Sequence, residues 1–267
     1  MYLSPVILKP YLNEEFYTLF ATLHVIVLIL CHPELNSVYN LYALELSKCF
    51  IEQCRLFWGD QFIVYNVYNI IHICETVKIF GPVDNFSCYW SENFIRHLKK
   101  LYRGSNFVLE QIVKRVSETN VMLGFDNNNS AKVQHLYNHT TPEINGLFLI
   151  SPIVSSFKKL QLKSTFVSVY VPDNYIINKS NKILKIKFIV VCEDLSTYFI
   201  GNYFKTYEPI FLKPLNSLDY FNVSIVSNPS THLSVLKFSD VHCKVMLLYL
   251  HGKNYVFPIL HTHTDFS

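Results

Sequence analysis

The hydrophobic residues of this chain change their spacing once, and this change constrains the fold more than any other feature of the sequence. Over residues 1–119 they recur every three or four positions, as on one face of a helix. Residues 120–145 are polar and turn-prone, and residues 146–267 contain short β-branched and aromatic runs, which are typical of strands. The sequence therefore predicts an α+β protein with a helical module at 1–119, a polar linker at 120–145 and a β domain at 146–267.

The helical module carries start and stop signals. Asn13 is a suitable N-cap before two glutamates, and Gly81 with Pro82 ends a later helix. A further helix is expected to begin after Ser37, and two shorter ones are expected at 92–102 and 108–117. The residues predicted to face the core are Val38, Tyr42, Leu46, Cys49 and Phe50 in the helix after Ser37, and Ile63, Val67, Ile70, Ile71, Cys74 and Val77 in the helix before Gly81.

The β domain shows strand runs without intervening helices. Turn chemistry such as that of residues 251–254 separates the runs. This pattern predicts a small antiparallel barrel or sandwich. The predicted strands are 166–171, 183–191, 198–204, 221–226, 244–250 and 255–260.

Composition excludes several classes of protein. Half of the chain is hydrophobic and 16% is charged, which excludes an intrinsically disordered chain. Only 7 glycines occur, and neither GxGxxG nor GxxxxGK[ST] is present, so nucleotide binding through these loops is not expected. The net charge of +3 is too small to indicate a nucleic-acid partner by itself.

Residues 16–31 form the one apolar stretch that suggests a membrane segment. The stretch is shorter than the roughly 20 residues that span a bilayer, and His24 lies in its middle. No basic start or small-residue cleavage site marks a signal peptide. We therefore predict a buried core helix and expect no membrane partner.

A basic stripe lies in the two predicted short helices. Arg96, Lys99, Lys100 and Arg103 follow the spacing i, i+3, i+4 and i+7, and the second helix adds Lys114 and Arg115. A solvated helix face explains many such runs. Only Glu110 offsets the charge in the intervening stretch, so contact with nucleic-acid phosphates is the competing explanation.

Metal sites find weak support in the sequence. His135 and His139 are four residues apart in a polar, turn-rich segment, and His261 with His263 would share a strand face, but no complete ligand set accompanies either pair. Glu92 is a favourable first-turn carboxylate or a partner of Arg96. A metal site for phosphoryl transfer would need further carboxylates. We therefore predict no metal site.

Several segments resemble the C-terminal region of CACTA-type (En/Spm-like) DDE transposases, of the transposon-derived kind common in invertebrate genomes. The central similarity is carried by Tyr65-Asn66-Val67-Tyr68-Asn69-Ile70-Ile71-His72, by Phe80-Gly81-Pro82-Val83-Asp84-Asn85-Phe86-Ser87, and by Trp90-Ser91-Glu92-Asn93-Phe94 with Leu98-Lys99-Lys100-Leu101. Gln111, Lys114, Arg115 and Glu118 match the family's QxxRRxxE helix. Segments 8–30, 201–211 and 245–261 extend the resemblance over nearly the whole chain.

This resemblance implies an RNase H-like core that cuts and joins DNA. In such a core, three carboxylates bind the divalent metal. Glu92 stands at the position of the glutamate in the family's FPFENF motif, and is implied as the third carboxylate. The family's two catalytic aspartates would lie upstream of residue 1. Two departures are Tyr68, where the family commonly has His, and Tyr89-Trp90-Ser91 in place of Phe-Pro-Phe.

The leading hypothesis is a truncated or domesticated transposase-derived protein that is catalytically inert alone, with Glu92 vestigial and no cofactor. It predicts weak DNA binding through the basic stripe, a nuclear location, and DNA or a full-length transposase as partner, without a small-molecule substrate. A second hypothesis is a Mg²⁺-dependent DNA strand-transfer component whose aspartates come from another polypeptide. A third is a protein-interaction module without DNA affinity.

Overall fold

The protein is α+β, as predicted. The computed structural model describes residues 3–104, 106–122, 135–140, 152–162, 165–259 and 262–266. Helices fill the part up to residue 122, here called the helical part, and an antiparallel sheet dominates residues 135–266, here called the sheet part. The helices are α1 (Ser4–Leu8), α2 (Glu14–Cys31), α3 (Leu35–Val38), α4 (Asn40–Trp58), α5 (Tyr65–Tyr68), α6 (Ile70–Phe80), α7 (Tyr89–Leu101), α8 (Val108–Met122), α9 (Ser217–Phe221) and α10 (His263–Phe266).

Helix α2 is a central core element. Asn13 caps it as predicted, because its Oδ1 accepts a hydrogen bond of 2.9 Å from the Phe16 amide. Val25, Ile26 and Ile29 are fully buried. The helix is long and apolar enough to cross a membrane, yet half of it is buried inside the protein.

Helix α4 buries a different face from the predicted one. The buried side chains of α4 are Ala43, Ser47, Ile51 and Cys54. Of the predicted core residues, Cys49 is exposed, and Val38, which is 71% exposed, ends α3 and lies outside α4. The small residues Ala43 and Ser47 allow close approach of α2 and α6, which both pack on α4. Close packing of helices therefore selects the small residues, and the larger predicted ones Tyr42, Leu46 and Phe50 remain partly exposed at the flanks.

The predicted helix before Gly81 forms as the consecutive helices α5 and α6. Ile70, Cys74 and Val77 are buried as predicted, and the chain leaves α6 through Gly81. Helices α7 and α8 confirm the two short helices. Helix α7 begins three residues before its predicted start and ends one residue before its predicted end, and α8 continues five residues beyond its predicted end.

The sheet contains more strands than the sequence indicated. Strands β1 (His135–Thr140), β2 (Ile153–Gln161), β4 (Tyr175–Asn178) and β8 (Ser234–Lys237) were not among the predicted runs, because they are short, bounded by polar residues, or rich in serine and lysine. Phe221 ends helix α9 and is not part of a strand, because Asn216 caps this helix through the Leu218 amide. The remaining strands are β3 (Phe166–Ser168), β5 (Ile183–Cys192), β6 (Thr197–Pro209), β7 (Ser224–Pro229), β9 (Val241–Leu250) and β10 (Lys253–Pro258).

Six of the strands pair one with the next, and the last of them pairs with the first to form a ring. The pairings run from β5 to β4, β9, β10, β7 and β6, and β6 pairs in turn with β5. All of these pairings are antiparallel. Each of the six strands contributes to one buried apolar cluster, whose members are Tyr175, Ile177, Ile183, Phe204, Val226, Cys243, Val245 and Val256.

A further apolar cluster joins the helical part to the sheet part. It contains residues of α1, α2, α4 and α6 together with Ile210, Phe211, Phe221, Val223 and Phe257 of the sheet part. Hydrogen bonds add to this contact: Lys9 Nζ donates to the Ile210 carbonyl at 2.9 Å, and Tyr42 Oη donates to the Pro214 carbonyl at 3.3 Å. Helices α1, α2, α4 and α6 therefore pack against the sheet part.

Candidate nucleic-acid interface

Helices α7 and α8 form a helical hairpin whose turn is held by one side chain. The side-chain nitrogen Nε2 of Gln111 donates to the Asn106 carbonyl at 2.7 Å, and Oε1 of the same side chain accepts from the Arg103 backbone amide at 3.1 Å. The two helices pack against each other. Gln111 thus sets the position of the residues at the end of α7, where the predicted basic stripe lies.

The structure exposes the predicted cations. Arg96, Lys99, Lys100 and Arg103 are all exposed, and so is Lys114 on α8. Helix α7 ends at Leu101 and the backbone of Tyr102 is extended, so helical spacing relates Arg96, Lys99 and Lys100 but not Arg103. Arg103 therefore belongs to the turn, next to the stripe and not within it.

The cations of α7 are not neutralised locally. In the described part of the chain, no carboxylate lies within ion-pairing distance of Arg96, Lys99, Lys100 or Arg103. The exposed cations of α4 differ: Lys48 pairs with Glu45 at 3.1 Å, and Arg55 pairs with Glu52 and Asp60 at 2.8 and 2.7 Å. Arg115 is half-buried and already takes part in a contact within the chain.

Glu92 belongs to no group of metal-binding side chains among the described residues. It is exposed in the first turn of α7 and makes no ion pair with Arg96. Across the described ranges, no three His, Cys, Asp or Glu side chains come together in a group that could hold a metal ion. A two-metal site would need additional carboxylates beside Glu92.

The described histidines of the two pairs lie in different secondary structure from that considered in the sequence analysis. His135 and His139 lie on strand β1, so their four-residue separation is not the spacing of a helical metal pair. His261 lies outside the described residues, and His263 opens the short helix α10. Neither pair gains a described ligand set.

The hairpin also exposes apolar side chains to which the sequence had given no role. The exposed fractions are 50% for Ile95, 74% for Leu109 and 59% for Val113. Leu109 and Val113 are four residues apart on α8, so their spacing was a signal that they share one helix face. The hairpin therefore combines cations with an exposed apolar surface.

Comparison with known proteins concerns the sheet part. The sequence profile of a family described as a domain of unknown function (DUF8592) matches residues 138–259. The match begins within β1 and ends directly after β10, so it leaves the α7–α8 hairpin outside. Searches against curated proteins and against solved structures give no match.

Proposed function

We propose that this chain is a transposase-derived protein, not catalytic by itself, that binds DNA through the α7–α8 hairpin. The observation that supports the proposal is the cluster of exposed, unneutralised cations Arg96, Lys99, Lys100 and Arg103. Cations of this kind bind phosphates with release of counterions, which supplies most of non-specific DNA affinity. Lys114 extends the basic surface onto α8, and a DNA-binding role carries with it a location in the nucleus.

Charge reversal of the hairpin tests this proposal. The variant R96E/K99E/K100E/R103E is expected to bind a double-stranded DNA fragment at least tenfold more weakly in fluorescence polarisation at low salt. The slope of log affinity against log salt should also fall in magnitude, by roughly 0.9 for each lost phosphate contact. A control variant, K78E/K187E/K237E/K253E, reverses the same number of exposed charges elsewhere. Equal affinity of the parent and the hairpin variant would exclude the hairpin as the contact surface.

The absence of catalysis has its own test. Purified protein would be incubated with Mg²⁺ or Mn²⁺ and transposon-end DNA. No strand cleavage is expected, because the described residues hold no group of three metal-binding side chains that includes Glu92. Cleavage that disappears in Glu92→Gln would instead establish the strand-transfer alternative.

A protein-interaction role is the second candidate, favoured by the exposed Ile95, Leu109 and Val113. Clusters of exposed apolar side chains often mark protein contacts. If the hairpin variant keeps its DNA affinity while I95S/L109S/V113S loses capture of a transposase partner, the interaction role replaces the DNA-binding one.

We also infer that the ring of six strands is a small closed barrel. The circuit of pairings from β5 through β4, β9, β10, β7 and β6 supports this inference, as does the apolar cluster to which all six strands contribute. Closure would leave none of these six strands with an unpaired edge. In a closed barrel, the backbone amides along both edges of β5 and of β6 should exchange their hydrogens slowly with solvent.

A further inference from the structure

A cavity of about 500 Å³ opens beside strands β4, β5 and β6, away from the α7–α8 hairpin. Asn178 ends β4, Lys182 directly precedes β5, and Ser230 follows β7. This volume lies in the range of small-molecule sites in proteins. The described side chains that line the cavity are Asn178, Ser180, Lys182, Tyr203, Phe204, Lys205, Tyr207 and Ser230.

Two tyrosines supply hydrogen-bond donors to this cavity. Tyr207 Oη accepts from the Ile183 amide at 3.0 Å, and Tyr203 Oη accepts from Asn178 Nδ2 at 3.4 Å. Among the described residues, neither hydroxyl has an acceptor for its own hydrogen. Burial raises the pKa of both phenols, so both stay protonated at neutral pH. Each phenol therefore keeps one O–H free to donate to a ligand.

Two side-chain acceptors of the lining, those of Asn178 and Ser230, already accept hydrogen bonds. Asn178 Oδ1 accepts from the amides of Ser180 and Lys182 at 3.0 and 2.8 Å. Ser230 Oγ accepts from the His232 amide and donates to the His232 carbonyl, both at 3.2 Å. The lining thus offers the two phenol donors, while the side-chain acceptors of Asn178 and Ser230 are engaged.

The two charged side chains that line the cavity have the same sign. Lys182 and Lys205 are exposed, and no described carboxylate lies within ion-pairing distance of either ammonium. No carboxylate is among the described lining residues; Asp240 is near enough to add to the raised pKa of Tyr203 but stands outside the lining. An anion rich in oxygen acceptors is the ligand that matches such a surface.

We propose that this cavity binds a phosphate ester, with Lys182 and Lys205 contacting the phosphoryl oxygens and the hydroxyls of Tyr203 and Tyr207 donating to them. The cavity has room for a nucleoside esterified to the phosphate. The phosphate ester can come from a nucleic-acid strand or from a free nucleotide, and both present the same oxygens. The proposal does not depend on the hairpin being a DNA-binding surface.

The test uses the full chain in the R96E/K99E/K100E/R103E background, so that hairpin binding does not contribute. Three probes are compared. Binding of inorganic phosphate and of uridine monophosphate is measured by calorimetry, and binding of a labelled oligonucleotide of ten thymidines is measured by fluorescence polarisation. Binding of all three assigns the site to the phosphoryl group, and binding of the oligonucleotide alone assigns it to a strand backbone. Failure of all three probes to bind would overturn the proposal.

The variant K182Q/K205Q should weaken binding of the probes about tenfold or more, because it removes both ammoniums. The control K187Q/K237Q removes two exposed lysines of the sheet part outside the cavity, and should bind as the background does. Tyr203→Phe, which deletes a single hydroxyl, should weaken binding severalfold and covers the case in which the double variant does not fold. Equal affinity of Tyr203→Phe and the background, or equal weakening by the control pair, would refute the assignment.

Discussion

At the residue scale, His24 is the least expected group in the core. Its side chain is 1% exposed in the middle of α2, and neither ring nitrogen has a hydrogen-bond partner in the described structure. The ring stacks on Phe20 with centroids 6.2 Å apart and meets Phe211 edge-on at 5.9 Å. Burial lowers the pKa of His24 from 6.5 to about 4, because the charged imidazolium would lose its hydration there.

This burial makes stability depend on pH. The unfolded chain binds a proton at His24 below pH 6.5, whereas the folded chain does so only near pH 4. The contribution of His24 to stability is therefore complete above pH 6.5 and is lost as the pH falls towards 4. Between pH 7 and pH 5 the free energy of unfolding should decrease by about 2 kcal/mol from this group.

Urea unfolding of His24→Leu checks this expectation. The variant should be more stable than the parent at pH 5, and its stability should vary less between pH 7 and pH 5, because leucine fills the site without unpaired nitrogens. Substitution of the exposed His232 by Gln serves as the control and should keep the parental dependence. A parental pH dependence in His24→Leu would contradict the expectation.

At the element scale, Gly252 in the β9–β10 turn and Gly201 on β6 serve different purposes. The turn places His251 at φ 48° and Gly252 at φ 76°, the positive values of a two-residue hairpin loop, as the sequence of residues 251–254 indicated. Gly201 on β6 has no such φ. It lies against the Lys185 carbonyl of β5, where no side chain fits.

Alanine substitutions should separate these two causes. Gly252→Ala should cost about 1 kcal/mol of unfolding free energy, because its Cβ would point into open space and only the backbone conformation is unfavourable. Gly201→Ala should cost about 1–3 kcal/mol, because β5 and β6 must move apart. Gly104, which has neither restriction, provides the control. Chemical denaturation measures all three, and a Gly201→Ala protein as stable as the parent would show that β5 and β6 lie less closely than described.

At the scale of the whole molecule, the two parts of the chain share an apolar cluster. Phe211 is 5% exposed and lies against His24, and Phe257 of β10 is fully buried in the same cluster as α2. Removal of the helices would expose these side chains to water. The division into modules at 1–119 and 146–267 remains a prediction from the sequence. The shared cluster indicates that the stabilities of the helical part and the sheet part are coupled.

Thermal unfolding can measure this coupling. We expect one transition, in which the fluorescence of the two tryptophans, Trp58 and Trp90 of the helical part, and the circular dichroism of the sheet change together. Phe211→Ala should lower the stability of both parts by about 3–5 kcal/mol, since a buried ring is lost from the contact. The neighbouring Leu212, whose side chain is 66% exposed, gives the control Leu212→Ala. Two separate transitions, with only one moved by Phe211→Ala, would show that the modules are independent.

Helix caps, turns and exposed charges could be predicted from the sequence alone. The Asn13 cap, the stop at Gly81, the turn at residues 251–254 and the exposed cations of α7 each depend on a few neighbouring residues, so a short stretch of chain is enough to predict them. The helical and strand-rich parts followed from hydrophobic period for the same reason.

Other features depend on contacts between distant segments. The face that α4 buries was set by how closely α2 and α6 approach it, and the short strand β4 forms because β5 and β9 pair with it on either side. The ring of strands, the placement of His24 against Phe211 and the donor-lined cavity beside Tyr203 and Tyr207 join residues far apart in the chain. No local pattern encodes such neighbours, because long-range packing free energy selects them only when the whole chain folds.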